Sequence, residues 1–457
     1  MTAKLPATSV AEHLAKHIAA LRSDRLPAAV RQKCEDLLID VAGLCVTARN
    51  EDYIKSAIAG CDDDGKCTAI GHARTFSAAS AAFVNGTAAH GEDFDDTFEG
   101  GPVHAGAVIV PAVLAACERH RPEGSAALLG IAVGTEVMCR LSTVVPKAVH
   151  KAGFHPTAIF GVVGAAAGVG SALGLNARQI VDAFGIAASF AGGIIEYLAE
   201  GTWTKRLHPG WAAQSGIRAA LLARSGFTGP RTVFEGVHGL FHGFAHTTKG
   251  DYDALIGDFG KHWVTETLAF KPYPCGTMAH PYIDCARRLA ARRIRPGDIK
   301  ELICEVAEGT VHRLWEPLAD KQRPPNGYAA KFSTPFILAT GFLRDGVGLD
   351  AFTEQAVRDT DVLALSSKVR YVIDPDNPYP NNFTGHIQAV LNDGSVIEER
   401  QPHFRGGAHE PLTRADIEEK FKLNLRHGGW DAKRATDALE RLAKLYDGKI
   451  DLEFLRG

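Results

Sequence analysis

The chain has 457 residues, with 50 Lys and Arg against 53 Asp and Glu, and is 46% hydrophobic and 23% charged. That length sustains two domains with large cores, and the composition is that of an ordinary globular protein. A net charge of −3, with no basic tail and no long acidic run, supplies no field for nucleic acid or an anionic membrane, so neither is expected as a partner.

The nine cysteines, at 34, 45, 61, 67, 117, 139, 275, 285 and 304, are odd in number and lack CxxC spacing. This argues against a disulfide framework and a zinc ribbon. Reduced thiols in a cytoplasmic protein are the simpler reading. The opening Met1–Pro6 has no apolar leader-like run. Ser9-Val10-Ala11-Glu12 reads as a capping box that starts an amphipathic helix.

Helical periodicity dominates residues 1–268, as at Leu37, Leu38, Val41, Leu44 and Cys45, and again at Ile180, Ala183, Phe184 and Ala187. The apolar stretches 126–138 and 158–175 are rich in Gly and Ala. The first is interrupted by Glu136, and both fall short of a membrane span. They read as buried, closely packed helices. After Lys271-Pro272-Tyr273-Pro274 the pattern becomes short, β-branched and alternating, at 299–305 and 368–373. A hairpin with an Asp393-Gly394 turn joins 385–391 to 395–399. Helical patterns lie between, at 281–291 and 334–343. A glycine-rich loop at 402–407 leads to a helix capped by Thr413 and another from about Ala432 to Leu445. The expected fold is mainly α with an inserted α/β domain: a large all-helical domain from 1–268 and 402–457, and a smaller α/β domain at 269–401.

Chemistry concentrates where the small-residue helix 81–89 runs into Asp93-Phe94-Asp95-Asp96-Thr97. Buried carboxylates are costly to desolvate and call for partners. A phosphatase-type DxDxT nucleophile would need an apolar strand just before it, and the helix pattern disfavours that reading. A divalent-metal site remains open, as does a loop lining a pocket. Asp95 and Asp96 also suit capping of the next helix. Asp93 and Thr97, four apart, would share a face if the turn is helical.

His104 follows Gly100-Gly101-Pro102-Val103 and precedes the apolar helix 105–117, where the helix N-terminus favours a neutral imidazole. His155 sits between Gly153-Phe154 and Pro156 ahead of another helix. Lys205-Arg206 precedes His208-Pro209-Gly210, and Lys271 lies at the expected domain junction. Together these groups supply the cations and proton carriers that a small polycarboxylate needs. His238, His242 and His246 recur at four-residue spacing, but three glycines weaken that helix and no acid joins the set. Gly168–Gly174 mimics a dinucleotide fingerprint but follows a helix rather than a strand.

Read together, Val84–His90 with Asp93–Thr97, His104 with Gly106-Ala107-Val108, Gly153–Thr157, Lys205–Gly210, Lys271–Cys275, Ala329–Ser333, and Arg405–Gly407 with Pro411–Thr413 resemble the MmgE/PrpD family over almost the whole chain. The resemblance implies a helical domain with an α/β lid, a homodimer, a pocket between the domains, and neither metal nor organic cofactor. It implies a lyase acting on a small di- or tricarboxylate, foremost a 2-methylcitrate dehydratase-like hydro-lyase. An isomerase, an epimerase, a cis-aconitate decarboxylase-like enzyme and a silent carboxylate-binding protein are the alternatives. It places Asp93, Thr97, His104, His155, Lys205 and Lys271 in the site. His104 would move the proton, His155 would assist, and Asp93 would orient a histidine. Thr97, Lys205 and Lys271 would bind substrate. Gly276 stands where family members often carry a histidine or cysteine, and Trp315 is the nearest large ring to a family tyrosine.

Overall fold

The computed structural model describes residues 7–101, 103–344 and 346–457. The reading of Met1–Pro6, and Pro102 in the turn before His104, lie outside the described residues. Two compact units emerge: the described residues up to Leu268 together with Thr413–Gly457, and Ala269–Leu412.

The first unit is a stack of helices built around α1 (Ala28–Thr47), α2 (Ala78–Gly91), α3 (Gly106–His120), α4 (Gly124–Val144), α5 (Pro156–Ala172) and α6 (Thr204–Arg224). α2 packs on α3 and α6, α5 packs on α4 and α6, and the C-terminal helix Arg414–His427 packs on α1. Local sequence explains the starts. Ser9 and Glu12 form the capping box of the helix Val10–Ala20. The Ser77 side chain accepts from Ser80 N at the start of α2, and Pro156 occupies the first turn of α5, where a missing N–H costs nothing. Thr413 and Asp416 cap the C-terminal helix reciprocally. One departure from an all-helical unit is the two-residue antiparallel pair Cys67–Thr68 with Thr75–Phe76.

Small residues set the helix spacing. Gly86 of α2 lies so close to α6 that an added Cβ would sit 2.7 Å from Gly210 Cα and 3.0 Å from Ala107 O. Gly86→Val should therefore force the helices apart, at a cost of about 1–3 kcal/mol or more. Denaturant unfolding checks this, and an unchanged midpoint would contradict the close crossing. Gly168, from the rejected fingerprint, lies inside α5, where a Cβ would meet Gly130 O at 2.7 Å.

α4 spans 21 residues, longer than the sequence pattern indicated, because Glu136 does not interrupt it. By length and composition it could cross a membrane, yet 89% of its apolar window is buried inside the protein. Glu136 is satisfied there by Arg140 Nε at 2.5 Å, Thr265 N at 3.0 Å and Thr265 Oγ1 at 2.7 Å. A carboxylate so enclosed stays in the core without an orphaned charge.

The second unit holds a four-stranded sheet of β1 (Ile299–Val306), β2 (Val369–Ile373), β3 (Gly385–Leu391) and β4 (Val396–Gln401), in the order β2-β1-β3-β4. β1 and β2 run parallel, and the other neighbours are antiparallel. The β3–β4 turn places Gly394 at φ +87°, a left-handed conformation that glycine adopts without strain. The helix His280–Ala291 packs on the sheet and on the helix Thr334–Arg344. The unit runs to Leu412, past the expected boundary at 401. The loop after β4 is tied back by Phe270 N to Gly406 O (3.0 Å), Gln401 Nε2 to Glu410 Oε2 (2.7 Å), and Arg405 to Asp284 (3.3 Å) and Tyr273 (3.1 Å). Trp315 is fully buried against Tyr282 and Tyr371 as part of this unit's core.

Candidate active site

α2 ends at Gly91, and the chain reverses through Asp93, which takes φ +55°. Aspartate tolerates this left-handed conformation better than most residues. The segment 92–96 is therefore not a helical turn, so Asp93 and Thr97 do not share a helix face. Thr97 instead opens the short strand Thr97–Phe98 and is buried. The reversal sends three neighbouring carboxylates to three different partners.

Asp93 pairs with Lys205 at the start of α6. Asp95 Oδ2 lies 2.7 Å from His90 Nδ1 and 3.5 Å from His104 Nδ1. Asp96 accepts from Gly106 N with both oxygens, at 2.9 and 3.0 Å, and so caps α3. The capping reading thus holds for Asp96 alone. Asp95 is thus a carboxylate that faces two histidine rings. Burial, reinforced by the neighbouring Asp95, pushes the Asp96 carboxyl up to about 7, against the opposing pull of the Gly106 N–H.

His104 is anchored on both sides. Its backbone N donates to Thr157 Oγ1 at 3.2 Å, and its Nδ1 lies 2.8 Å from the Asp96 carbonyl oxygen. A carbonyl only accepts, so Nδ1 carries a proton. His90 Nδ1 likewise faces an acceptor, the Asp95 carboxylate. His90 Nε2 is buried and has no hydrogen-bond partner among the described residues.

His155 is the N-cap residue of α5. Its backbone N donates to Gly193 O at 2.9 Å, and its Nδ1 sits 3.1 Å from His208 Nδ1. One ring of that pair donates and the other accepts. Burial, then His90, His208, Lys205 and His104, holds the His155 imidazolium well below its usual range. Burial, then His90 and Lys205, brings His208 down to about 4. Both rings are therefore neutral near pH 7 in the unliganded site.

The rings cluster tightly. Centroid separations are 4.8 Å for His90–His104, 5.8 Å for His90–His155, 6.3 Å for His104–His155 and 5.3 Å for His155–His208. Tyr197 edges against His155 and His208 at 6.2 and 5.8 Å. An open cleft lined by Gly193, Tyr197, Thr204, His208 and Trp211 reaches the outer side of this group.

Of the six residues expected from the sequence, Asp93, Thr97, His104, His155 and Lys205 belong to the first unit, and four of them contribute to the polar cluster just described. Lys271 belongs to the second unit, where it is buried, as are Tyr273 and Cys275 beside it in sequence. Sequence reasoning did not place His90, Asp95 or His208 among the expected site residues. His208 had a signal, since it lies three residues after Lys205 and so shares its helix face. The four-spaced set at His238–His246 does not form a comparable group: His238 and His242 meet edge to face at 6.2 Å, and His246 ends its helix in a left-handed conformation.

A buried cluster of imidazoles, tied to a carboxylate, a carbonyl or one another and flanked by a carboxylate–ammonium pair, holds the groups that acid–base chemistry requires. The chain belongs to the MmgE/PrpD family: the MmgE/PrpD N-terminal domain matches residues 12–253 and the MmgE/PrpD C-terminal domain matches residues 273–444. It is 31% identical to the cis-aconitate decarboxylase of Homo sapiens over 82% of this chain and 77% of that protein. A cis-aconitate decarboxylase-like protein of Aspergillus oryzae is 27% identical over 99% of this chain and 96% of its own. The cis-aconitate decarboxylase of Aspergillus terreus is 26% identical over 92% and 89%.

Proposed function

We propose that the protein is a lyase that breaks a bond next to a carboxylate in a small tricarboxylate or dicarboxylate, with decarboxylation of a cis-aconitate-like acid as the foremost reaction. The observation that carries this reading is the His104 ring, held through Nδ1 by the Asp96 carbonyl in a cluster with His90 and His155. The named relatives narrow the class of substrate.

When the C–CO2 bond breaks, its electron pair spreads onto a remaining carboxylate as an enediolate. Preorganised cations and donors stabilise such charge best in a water-poor site. Lys205 serves as one cation, held in place by Asp93. Thr97 donates a hydrogen bond. His104, once protonated, returns a proton to carbon, and its imidazolium is steadied by Asp95.

A hydro-lyase reaction of the 2-methylcitrate dehydratase type is the second reading. It is favoured by the His155–His208 pair, which can present an N–H to a departing hydroxyl while His104 accepts the carbon-bound proton. Proton NMR of the protein with cis-aconitate and with hydroxylated di- and tricarboxylates separates the two by loss of CO2 or of water. Unchanged spectra for every acid would overturn the lyase reading.

Lys205 gives a further expectation. Lys205→Met should raise KM by roughly 10- to 150-fold, the equivalent of a charge-assisted hydrogen bond of about 1.5–3 kcal/mol. It should also destabilise the fold by removing the ammonium that pairs with the buried Asp93. The double variant Asp93→Asn/Lys205→Met should recover stability but not KM. Recovery of KM as well would show that Lys205 serves the fold alone.

We further propose a cytoplasmic homodimer. All nine cysteines are free thiols, which suits a reducing compartment. Ile194, Leu198, Trp203, Trp211, Leu222 and Phe227 are large apolar side chains left exposed within one stretch of the chain, which suits a self-association face.

A further inference from the structure

Between Gly91 and Thr97 the chain is neither helix nor strand, and it reverses through Asp93 in a left-handed conformation. Such a backbone persists only where its surroundings hold it. Asp93 is held by Lys205, and Asp95 by His90. Between them, the Phe94 carbonyl oxygen accepts from Lys420 Nζ at 2.6 Å, and the same Nζ lies 3.9 Å from the centre of the Phe94 ring. Lys420 belongs to the C-terminal helix Arg414–His427, 326 positions later in the chain.

That helix is a firm base. It crosses α1 at Gly43, where an added Cβ would sit 3.0 Å from Phe421 Cδ2 and 3.4 Å from Phe421 Cα. Phe421 and Leu425 are fully buried, and Thr47 Oγ1 of α1 donates to Asn424 O at 3.2 Å. Also from α1, Asp40 Oδ1 lies 2.7 Å from Lys420 Nζ, and both residues are buried. Burial pushes the Asp40 carboxyl up, against the pull of Lys420 and with the push of Asp95 and Asp36. Asp40 therefore feels both the lysine and the carboxylate that faces the histidines.

We propose that Lys420 is a positioning residue for the active site: braced by Asp40, its Nζ tethers the Phe94 carbonyl and so fixes where Asp93 and Asp95 stand. Stability alone does not account for the arrangement. The helix is already docked through apolar contacts, and replacing both partners of a buried ion pair by apolar groups is often neutral or stabilising. A lysine bound to a backbone oxygen between two site carboxylates supplies placement instead. A shift of about 1 Å in reacting groups can lower a rate by about 10²-fold. The kinetic half of the proposal rests on the lyase reading; the tether itself does not.

Two variants of the full chain test it, Lys420→Met and Asp40→Asn/Lys420→Met. Hydrogen exchange followed by mass spectrometry reads the tether without turnover, through the amides of Asp93 and Phe98, which donate to His90 O and Val103 O at 3.0 Å. Both variants should exchange faster across 92–98 by roughly 10- to 150-fold, the worth of a charge-assisted hydrogen bond. Both should lose kcat by about 10- to 100-fold, with KM changing far less. Lys420→Met should also lower the denaturant midpoint, by removing the ion partner of the buried Asp40. The double variant should recover the midpoint but neither kcat nor the slow exchange, and it carries the comparison if Lys420→Met does not fold. Recovery of kcat together with the midpoint would overturn the proposal and assign Lys420 to the fold alone. Unchanged exchange across 92–98 would overturn the tether. Faster exchange in a protein that transforms no carboxylate would sink the lyase reading and leave the tether standing.

Discussion

Replacing His104 with Gln is expected to lower kcat by about 10²–10⁴-fold, the usual worth of a positioned proton-transfer group. KM should change far less. Gln preserves length and polarity and can still offer a donor to the Asp96 carbonyl, but no atom of its side chain exchanges a proton near neutral pH. The fold should survive, because the ring is partly exposed and its backbone anchor to Thr157 does not involve the side chain. Steady-state kinetics beside a denaturant curve measures both. Loss of stability in step with activity would instead assign His104 a structural role.

The second large effect is expected at Asp95. Asp95→Asn keeps the shape and one carbonyl acceptor but removes the charge that faces both His90, at 2.7 Å, and His104, at 3.5 Å. A hydrogen bond to a charged group is worth about 1.5–3 kcal/mol, or roughly 10- to 150-fold in rate. The loss should fall on kcat, because Asp95 is fully buried behind the rings. Asp95→Glu, which restores the charge in a longer side chain, should recover part of the rate. If Asp95→Asn changes only KM, or if Asp95→Glu is no better than Asp95→Asn, the carboxylate is not steadying an imidazolium.

Much of the site could be read along the chain, and the reason is local. The carboxylate run after a Gly/Ala helix, histidines just ahead of two helices, and a Lys-Arg pair opening a third are contiguous patterns. The capping boxes at Ser9 and Thr413, and the Asp-Gly hairpin, are also short-range signals whose geometry follows from side chains within a few residues. Which carboxylate serves which histidine was not legible. It depends on a reversal at a left-handed aspartate, where sequence offers no glycine to mark it. The His155–His208 contact joins residues 53 positions apart and depends on helix crossings set by small residues such as Gly86 and Gly210. The length of α4 was hidden for a related reason: a glutamate reads as an interruption until Arg140, one turn further along the same helix, and Thr265, distant in sequence, satisfy it. In the second unit, the parallel pairing of β1 with β2 needs a long crossover, and no local pattern announces it.

The account rests on proton transfer at carbon by the His104 ring. The most direct measurement is turnover of cis-aconitate, or of whichever acid the protein accepts, in D2O, with product deuterium counted by NMR and mass spectrometry. For decarboxylation the account predicts one solvent-derived deuteron at the carbon that lost its carboxylate. For dehydration it predicts exchange of the abstracted hydrogen with solvent. Either signal should drop with His104→Gln in proportion to kcat. Deuterium uptake that survives His104→Gln undiminished, or product formed with no solvent hydrogen at the reacting carbon, would contradict it.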